Sequence, residues 1–390
     1  MNHKSCAALL WSALLAVAWS CAGMKQGALS PTSSNGAPAH QLLLTEGQVH
    51  DTPARRGSCA TVLWCASGGA ALVGEPALDK QERVYAATSD GYLHAFERDG
   101  RFRFSYTVQG TPLGSVSLRP SDGAILLGTT AGQIYAINQS GSLHFRHSTQ
   151  AAVWSGLYAL NAQSVVFLGL DWRLYALSNR GRALYRVRAP SVPTTEPVVA
   201  DHDVVWVGLD GAVARFVSAY RLERIPLSGT ESPGPVEQVV TLRDAAVARA
   251  SAHAYWIVSG QPTVELGLAA QLGSDGTRLA IAESERLRLL EYPKTAETQK
   301  NVPSLPREVA SHELSRGELS GALSVFGQRT FVPMSSGAAS VYGPDGLECE
   351  ESITDAPLRQ PVVGESGKFF VVADYSGKFC AVELHSQLSN

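Results

Sequence analysis

Apolar and polar positions along the chain recur in a fixed order. The segment VYAATSDGYLHAF (84–96) is echoed by ILLGTTAGQIYAI (125–137), VVFLGLDWRLYAL (165–177) and VVWVGLDGAVARF (204–216), at offsets of 41, 40 and 39 residues. Each copy is a β-branched or aromatic run, a short turn signal containing Gly or Asp, and a second run alternating with period two. That is the pattern of a β-hairpin. Asp90-Gly91 and Asp210-Gly211 sit where a tight turn needs positive φ, which glycine adopts without steric cost. An apolar strand precedes each hairpin, as in LVGEPAL (72–78), LGSVSL (113–118), VWSGLYAL (153–160) and TTEPVVA (194–200). Another follows, as in RFRFSY (101–106) and SLHFRH (142–147). Four strands per ~40 residues, with no helical period, predict the blades of a β-propeller.

The second half is more diverged but keeps time, with AVARASAHAYWIV (246–258), LAIAESERLRLL (279–290), TFVPMSSGAASVY (330–342) and FVVADYSGKFCAV (370–382). The chain is therefore expected to be all-β, a single eight-bladed propeller over 58–390. The fifth unit is the weakest copy; the spacing after it falls to 33 residues and then rises to 51. TAETQKNVPSLPREVASHE (295–313), polar and proline-containing, is read as a protruding loop. The last hairpin reaches the C-terminus without a fourth strand, whereas CATVLWCAS (59–67) is a strand ahead of the first full unit. The N-terminal strand is expected to complete the eighth blade, which joins the chain ends in one sheet and removes open edges.

The first residues place this ring outside the cytoplasm. Lys4, the apolar run Cys6–Val17 and the small residues around Cys21 form a signal peptide over 1–20, too short to span a bilayer. Residues 21–57, rich in Ser, Pro, Gly, Ala and Thr, have the composition of a flexible tether. The stretch Val17-Ala18-Trp19-Ser20-Cys21 resembles a bacterial lipoprotein cleavage box, with Ala18 where that pattern favours Leu. The resemblance implies acylation of Cys21 and a membrane anchor, with outer-membrane placement facing the periplasm or the cell surface. A soluble secreted product and an uncleaved anchor stay open as alternatives. With 45% apolar and 17% charged residues the chain is globular rather than disordered. Its net charge of −3 offers nothing to a phosphate backbone, so nucleic acid is not expected as a partner.

Units one to three, through TSDGYLHAF, TAGQIYAI and LDWRLYAL, resemble the pyrroloquinoline-quinone-like propeller repeat over about 58–385. The resemblance implies the fold far more specifically than an activity. One branch of that family is made of quinone- and calcium-dependent dehydrogenases. The other is made of cofactor-free lipoproteins, including the propeller subunit of the outer-membrane β-barrel assembly machinery. The dehydrogenases often carry a disulfide between adjacent cysteines and a Trp stacked on the quinone; this chain has no Cys-Cys pair, and Trp64, Trp154, Trp172, Trp206 and Trp256 form no recurring motif.

No catalytic constellation accompanies the fold pattern. Asp90-Gly91, Asp122-Gly123, Asp210-Gly211, Asp275-Gly276 and Asp345-Gly346 offer one carboxylate each, which fits turns and not calcium loops. The histidines, among them His94, His144 and His147, lie in no metal-ligand spacing, and no Gly-x-Ser-x-Gly elbow is present. Neither a metal nor a small-molecule cofactor is expected. Apart from Cys6 and Cys21, four cysteines remain: Cys59, Cys65, Cys349 and Cys380. If the N-terminal strand completes the last blade, Cys65 falls opposite Cys380, and a Cys65–Cys380 disulfide is expected. Cys59 and Cys65 lie ~20 Å apart on one strand and cannot bond each other, which leaves Cys59 free or paired with Cys349. The expected function is that of a membrane-tethered envelope scaffold, not an enzyme, acting through protein partners, with outer-membrane protein assembly as one setting. A quinone-dependent dehydrogenase-like enzyme, and a ligand or carbohydrate sensor using Trp154 or Trp172, are the alternatives.

Overall fold

A computed structural model describes residues 55–57, 59–67, 70–200, 203–218, 221–228, 233–243, 245–292, 305–315 and 317–385. It contains eight antiparallel sheets, each of four strands with one extended to five, and their first strands touch in a closed circuit around an axis. The protein is an eight-bladed β-propeller.

The second strand of most blades is a continuous apolar run: Val84–Thr88, Ile125–Thr129, Ser164–Leu168, Val204–Gly208 and Phe369–Ala373 are buried at every position. A sheet covered on both faces has no polar side to alternate towards. The core is accordingly divided into eight apolar clusters, one for each pair of neighbouring blades. Between blades one and two, for example, Tyr85, Ala87 and Leu93 pack on Ile125, Leu127 and Ile137.

Blades also interlock at their outer turns. Trp64, in the outer strand of blade eight, lies over Gly100 of blade one and donates its indole N–H to the Arg98 carbonyl at 2.8 Å. Phe104 of blade one covers Gly141 of blade two, and Phe145 of blade two covers Gly181 of blade three. All three glycines have positive φ, +86°, +87° and +77°. They satisfy the turn and leave room for the ring at once.

The ring closes in blade eight. Ala60–Ser67 pairs antiparallel with the C-terminal strand Lys378–Leu384, supplying the fourth strand from the opposite end of the chain. Arg55–Arg56, within the stretch whose composition reads as tether, adds a short fifth strand against Thr61 and Val62. Cys65 and Cys380 stand directly opposite in the pairing and are joined by a disulfide, Cα–Cα 4.0 Å. A second disulfide, Cys59–Cys349, ties the start of the closing strand to Gly346–Ser352, the outer strand of blade seven. Cys21 lies outside the described residues.

One expectation is corrected. Arg307–Glu313, read as part of a protruding loop, is the outer strand of blade six, paired with Arg286–Glu291. Its apolar signal is weak because an outermost strand is largely exposed. Its register is held by ions, Arg286 and Arg288 both reaching Glu308 at 2.8 Å.

Two outcomes test this account. Gly141→Ala should cost roughly 2–4 kcal/mol, because the left-handed backbone and the Phe104 ring both resist a Cβ. Gly327→Ala, at φ +58° with nothing within 4 Å, should cost only the backbone part, about 1 kcal/mol; urea denaturation of the two variants reads the difference. Replacing Cys59 and Cys349 together by Ala should lower stability by about 2–5 kcal/mol, since that bridge restrains the unfolded chain and ties the closing strand to blade seven. Denaturant midpoints with and without reductant check it.

Candidate functional site on the propeller axis and upper rim

The face carrying the turns between second and third strands is called upper here. Glu75, Glu196 and Gln360 each immediately precede a proline at the same point of the chain entering the axis. The residue before a proline is held extended, which fixes these three backbones alike. Gln360 spends its amide on the neighbouring blade, donating to the Leu323 carbonyl at 3.2 Å. Glu196 accepts from the Tyr158 hydroxyl and, at 3.2 Å, from the Gly156 amide, both on Oε2 and both from blade three.

Glu75 differs from them. Its backbone amide donates to Ser115 Oγ at 3.1 Å, but its carboxylate Oε2 is shut off from solvent with no hydrogen-bond partner among the described residues. Burial pushes its carboxyl up to about 7; Arg359 opposes this, and Glu196 adds to it. Blades one and four are not neighbours, yet Glu75 and Glu196 lie close enough for their charges to repel. Burial raises Glu196 as well, against the bonds from Tyr158 and Gly156, and together with Glu196 it holds the Tyr158 phenol well above its usual range. Arg359 is held towards the upper mouth: it donates to the Gly74 carbonyl at 3.3 Å and lies 5.1 Å over the Tyr375 ring, and its buried Nε has no partner. The lower mouth, between blades eight, one and two, opens into a cavity of about 470 Å³ lined by Asp79, Gln81, Arg119 and Glu365 among others.

A second feature lies on the upper rim. Trp172 occupies, at φ +61°, the hairpin position held by Gly91, Gly132 and Gly377 in other blades. An aromatic residue in that region is strained by roughly 1–2 kcal/mol, and such outliers cluster at functional sites. Trp172 is 39% exposed, beside Leu170 at 52% in the same hairpin. The Ala189 amide donates to the Trp172 carbonyl at 2.8 Å, which ties the hairpin to the connection carrying exposed Val192. Arg188 lies 5.8 Å over the indole, and Asp171 braces the turn by accepting from Arg173 at 2.6 Å and Tyr175 at 2.7 Å. The hairpin is braced by these bonds and presents apolar area.

The other residues singled out from the sequence serve the fold. Trp154 packs against the cluster between blades three and four. His94 is buried, with Ser105 at 2.7 Å, and burial lowers its pKa. Asp122 pairs with the buried Arg119 at 2.5 Å, and Asp275 caps its own turn. Glu75, Glu196, Tyr158 and Arg359 carry no motif. The only signal for them is Glu-Pro recurring in LVGEPAL and TTEPVVA, charged residues in strands that are otherwise apolar.

No protein-family model and no curated protein matches the chain. Among solved structures the fold is similar to BamB from Moraxella catarrhalis, with 12% identity and TM-score 0.60 over 85% of this chain and 99% of that one. It is similar to the computationally designed Ika8 protein, at 14% and 0.64 over 81% and 97%. It is also similar to virginiamycin B lyase from Staphylococcus aureus, at 11% and 0.55 over 82% and 98%. These likenesses establish the propeller class and, at such identities, the fold alone.

The raised Glu75 carboxyl makes stability depend on pH in a defined direction. The folded protein retains a proton that the unfolded chain releases near 4.5, so stability is greatest below about pH 4.5, falls as pH rises to about 7, and stays lower above. Glu75→Gln should remove this contribution, matching the parent near pH 4 and exceeding it near pH 8 by up to ~3 kcal/mol. Thermal or urea unfolding of both proteins across that range reads the difference.

Proposed function

We propose that this protein is an extracytoplasmic scaffold that binds another protein through the upper rim of blade three, and that it does so without catalysis. The observation that carries the reading is Trp172: an exposed aromatic residue in a backbone conformation that favours glycine, braced by Asp171 and flanked by Leu170 and Val192. Rigid aromatic side chains beside arginine are the side chains that most often dominate protein interfaces. Arg188 adds positive charge beside the apolar surface, so the partner segment is apolar with an acidic neighbour.

Two disulfides support a location outside the reducing cytoplasm. The finer expectations, a lipid anchor on Cys21 and a place in outer-membrane protein assembly, rest on the sequence resemblances.

Site-specific photo-crosslinking tests the proposal. A crosslinker at position 170 or 192 should trap the same protein from envelope extracts, and one at exposed Leu347 on the outer edge of blade seven should not. Trp172→Gly should abolish the crosslink with stability unchanged within about 1 kcal/mol, because relief of backbone strain offsets the lost ring contacts. Equal trapping from positions 170 and 347 would rule the rim out as the docking surface.

A further inference from the structure

We propose that the propeller axis is a binding site for a primary ammonium group, seated between the carboxylates of Glu75 and Glu196. The inference is independent of the docking role assigned to blade three. Among the described residues a carboxylate oxygen of Glu75 is enclosed and unpartnered, whereas other acidic and amide side chains on or beside the first strands are hydrogen-bonded. Glu196 accepts from Tyr158 and Gly156, Gln238 exchanges two hydrogen bonds with the Leu272 backbone, and Gln360 donates to Leu323. An enclosed anionic oxygen without a donor is costly, and a cation supplies both charge and donors.

The groups facing the site fix the class of cation. Glu75 of blade one and Glu196 of blade four are linked through intervening oxygens, Ser115 Oγ accepting from the Glu75 amide and meeting the Tyr158 hydroxyl, which donates to Glu196, and their charges are close enough to repel. Calcium takes six to eight oxygen ligands, and among the described residues no group of three or more His, Cys, Asp and Glu is arranged to hold a metal. Two carboxylates and hydroxyls suit the three donors of an ammonium group. The resident cation, Arg359, is not seated there: it donates to the Gly74 carbonyl and lies over the Tyr375 ring, and its buried Nε has no partner among the described residues. Glu75, Ser115, Tyr158 and Glu196 are each partly exposed, so solvent reaches the lining.

The ammonium group has two sources, a free amine or a lysine side chain of a bound protein, and two probes separate them. Isothermal titration of the full-length protein with 1,4-diaminobutane and with N-acetyl-lysine amide, in low salt near pH 8, should give one site per chain. Tighter binding of the diamine points to a free amine, and tighter binding of the lysine derivative to a side chain. Affinity should fall at least tenfold near pH 5.5, where Glu75 holds a proton, and binding near pH 7 should release protons, read from heats in buffers of different ionisation enthalpy. Glu75→Gln and Glu196→Gln should each abolish binding with the thermal midpoint retained or raised, and exposed Glu318→Gln should leave binding unchanged. Absence of heat with both probes at millimolar concentration, binding that survives both substitutions, or equal displacement by potassium would each overturn the proposal.

Discussion

Face-to-face packing of neighbouring sheets is the interaction on which everything else in this molecule depends. A single blade has two apolar faces and cannot bury either alone; only a closed ring gives every face a partner. The continuous apolar runs in the second strands and the eight inter-blade clusters are two descriptions of that requirement. Its consequence is that the weakest place in the ring sets the stability of the whole. The seam of the ring is blade eight, where the strand Ala60–Ser67 must return from the far end of the chain.

The chain reinforces that seam covalently and sterically. Cys65–Cys380 fixes the closing strand within its own sheet, and Cys59–Cys349 fixes it to blade seven. On the other side Trp64 reaches over Gly100 into blade one. The closing strand is thus bound to three blades, and the interlock it makes with blade one is repeated by Phe104 and Phe145 in the two interfaces that follow.

Closing the ring also creates the axis. Eight first strands converge, glycine is needed where they pass closest, as at Gly74 and Gly114, and the polar side chains that point inward lose water. Most are compensated by the neighbouring blade. Glu75 and Arg359 each keep one buried polar atom without a partner among the described residues, and burial raises the pKa of the Glu75 carboxyl. The rim works differently: there the strain is in the backbone of Trp172, held by contacts on either side, and the result is apolar surface that does not collapse when free.

The repeat of about forty residues, the hairpin turns, the number of blades and the return of the N-terminal strand were all legible in the sequence, because each depends on local pattern: period-two runs, Gly at positive φ, and a missing fourth strand at one end. The outer strand of blade six was not legible, since an edge strand exposed to water carries charges and reads as loop. Neither was the candidate site. Glu75 and Glu196 lie 121 residues apart in the chain and acquire their chemistry only when the closed ring buries them near each other, which no local segment encodes. Trp172 stands out in sequence only together with Trp154, as one of two aromatic residues that could serve a surface site. Its exposure and its left-handed backbone are decided by the packing of the strands beneath it. Local pattern sets which residues form strands and turns, whereas burial, charge coupling and backbone strain depend on what the closed ring brings alongside them.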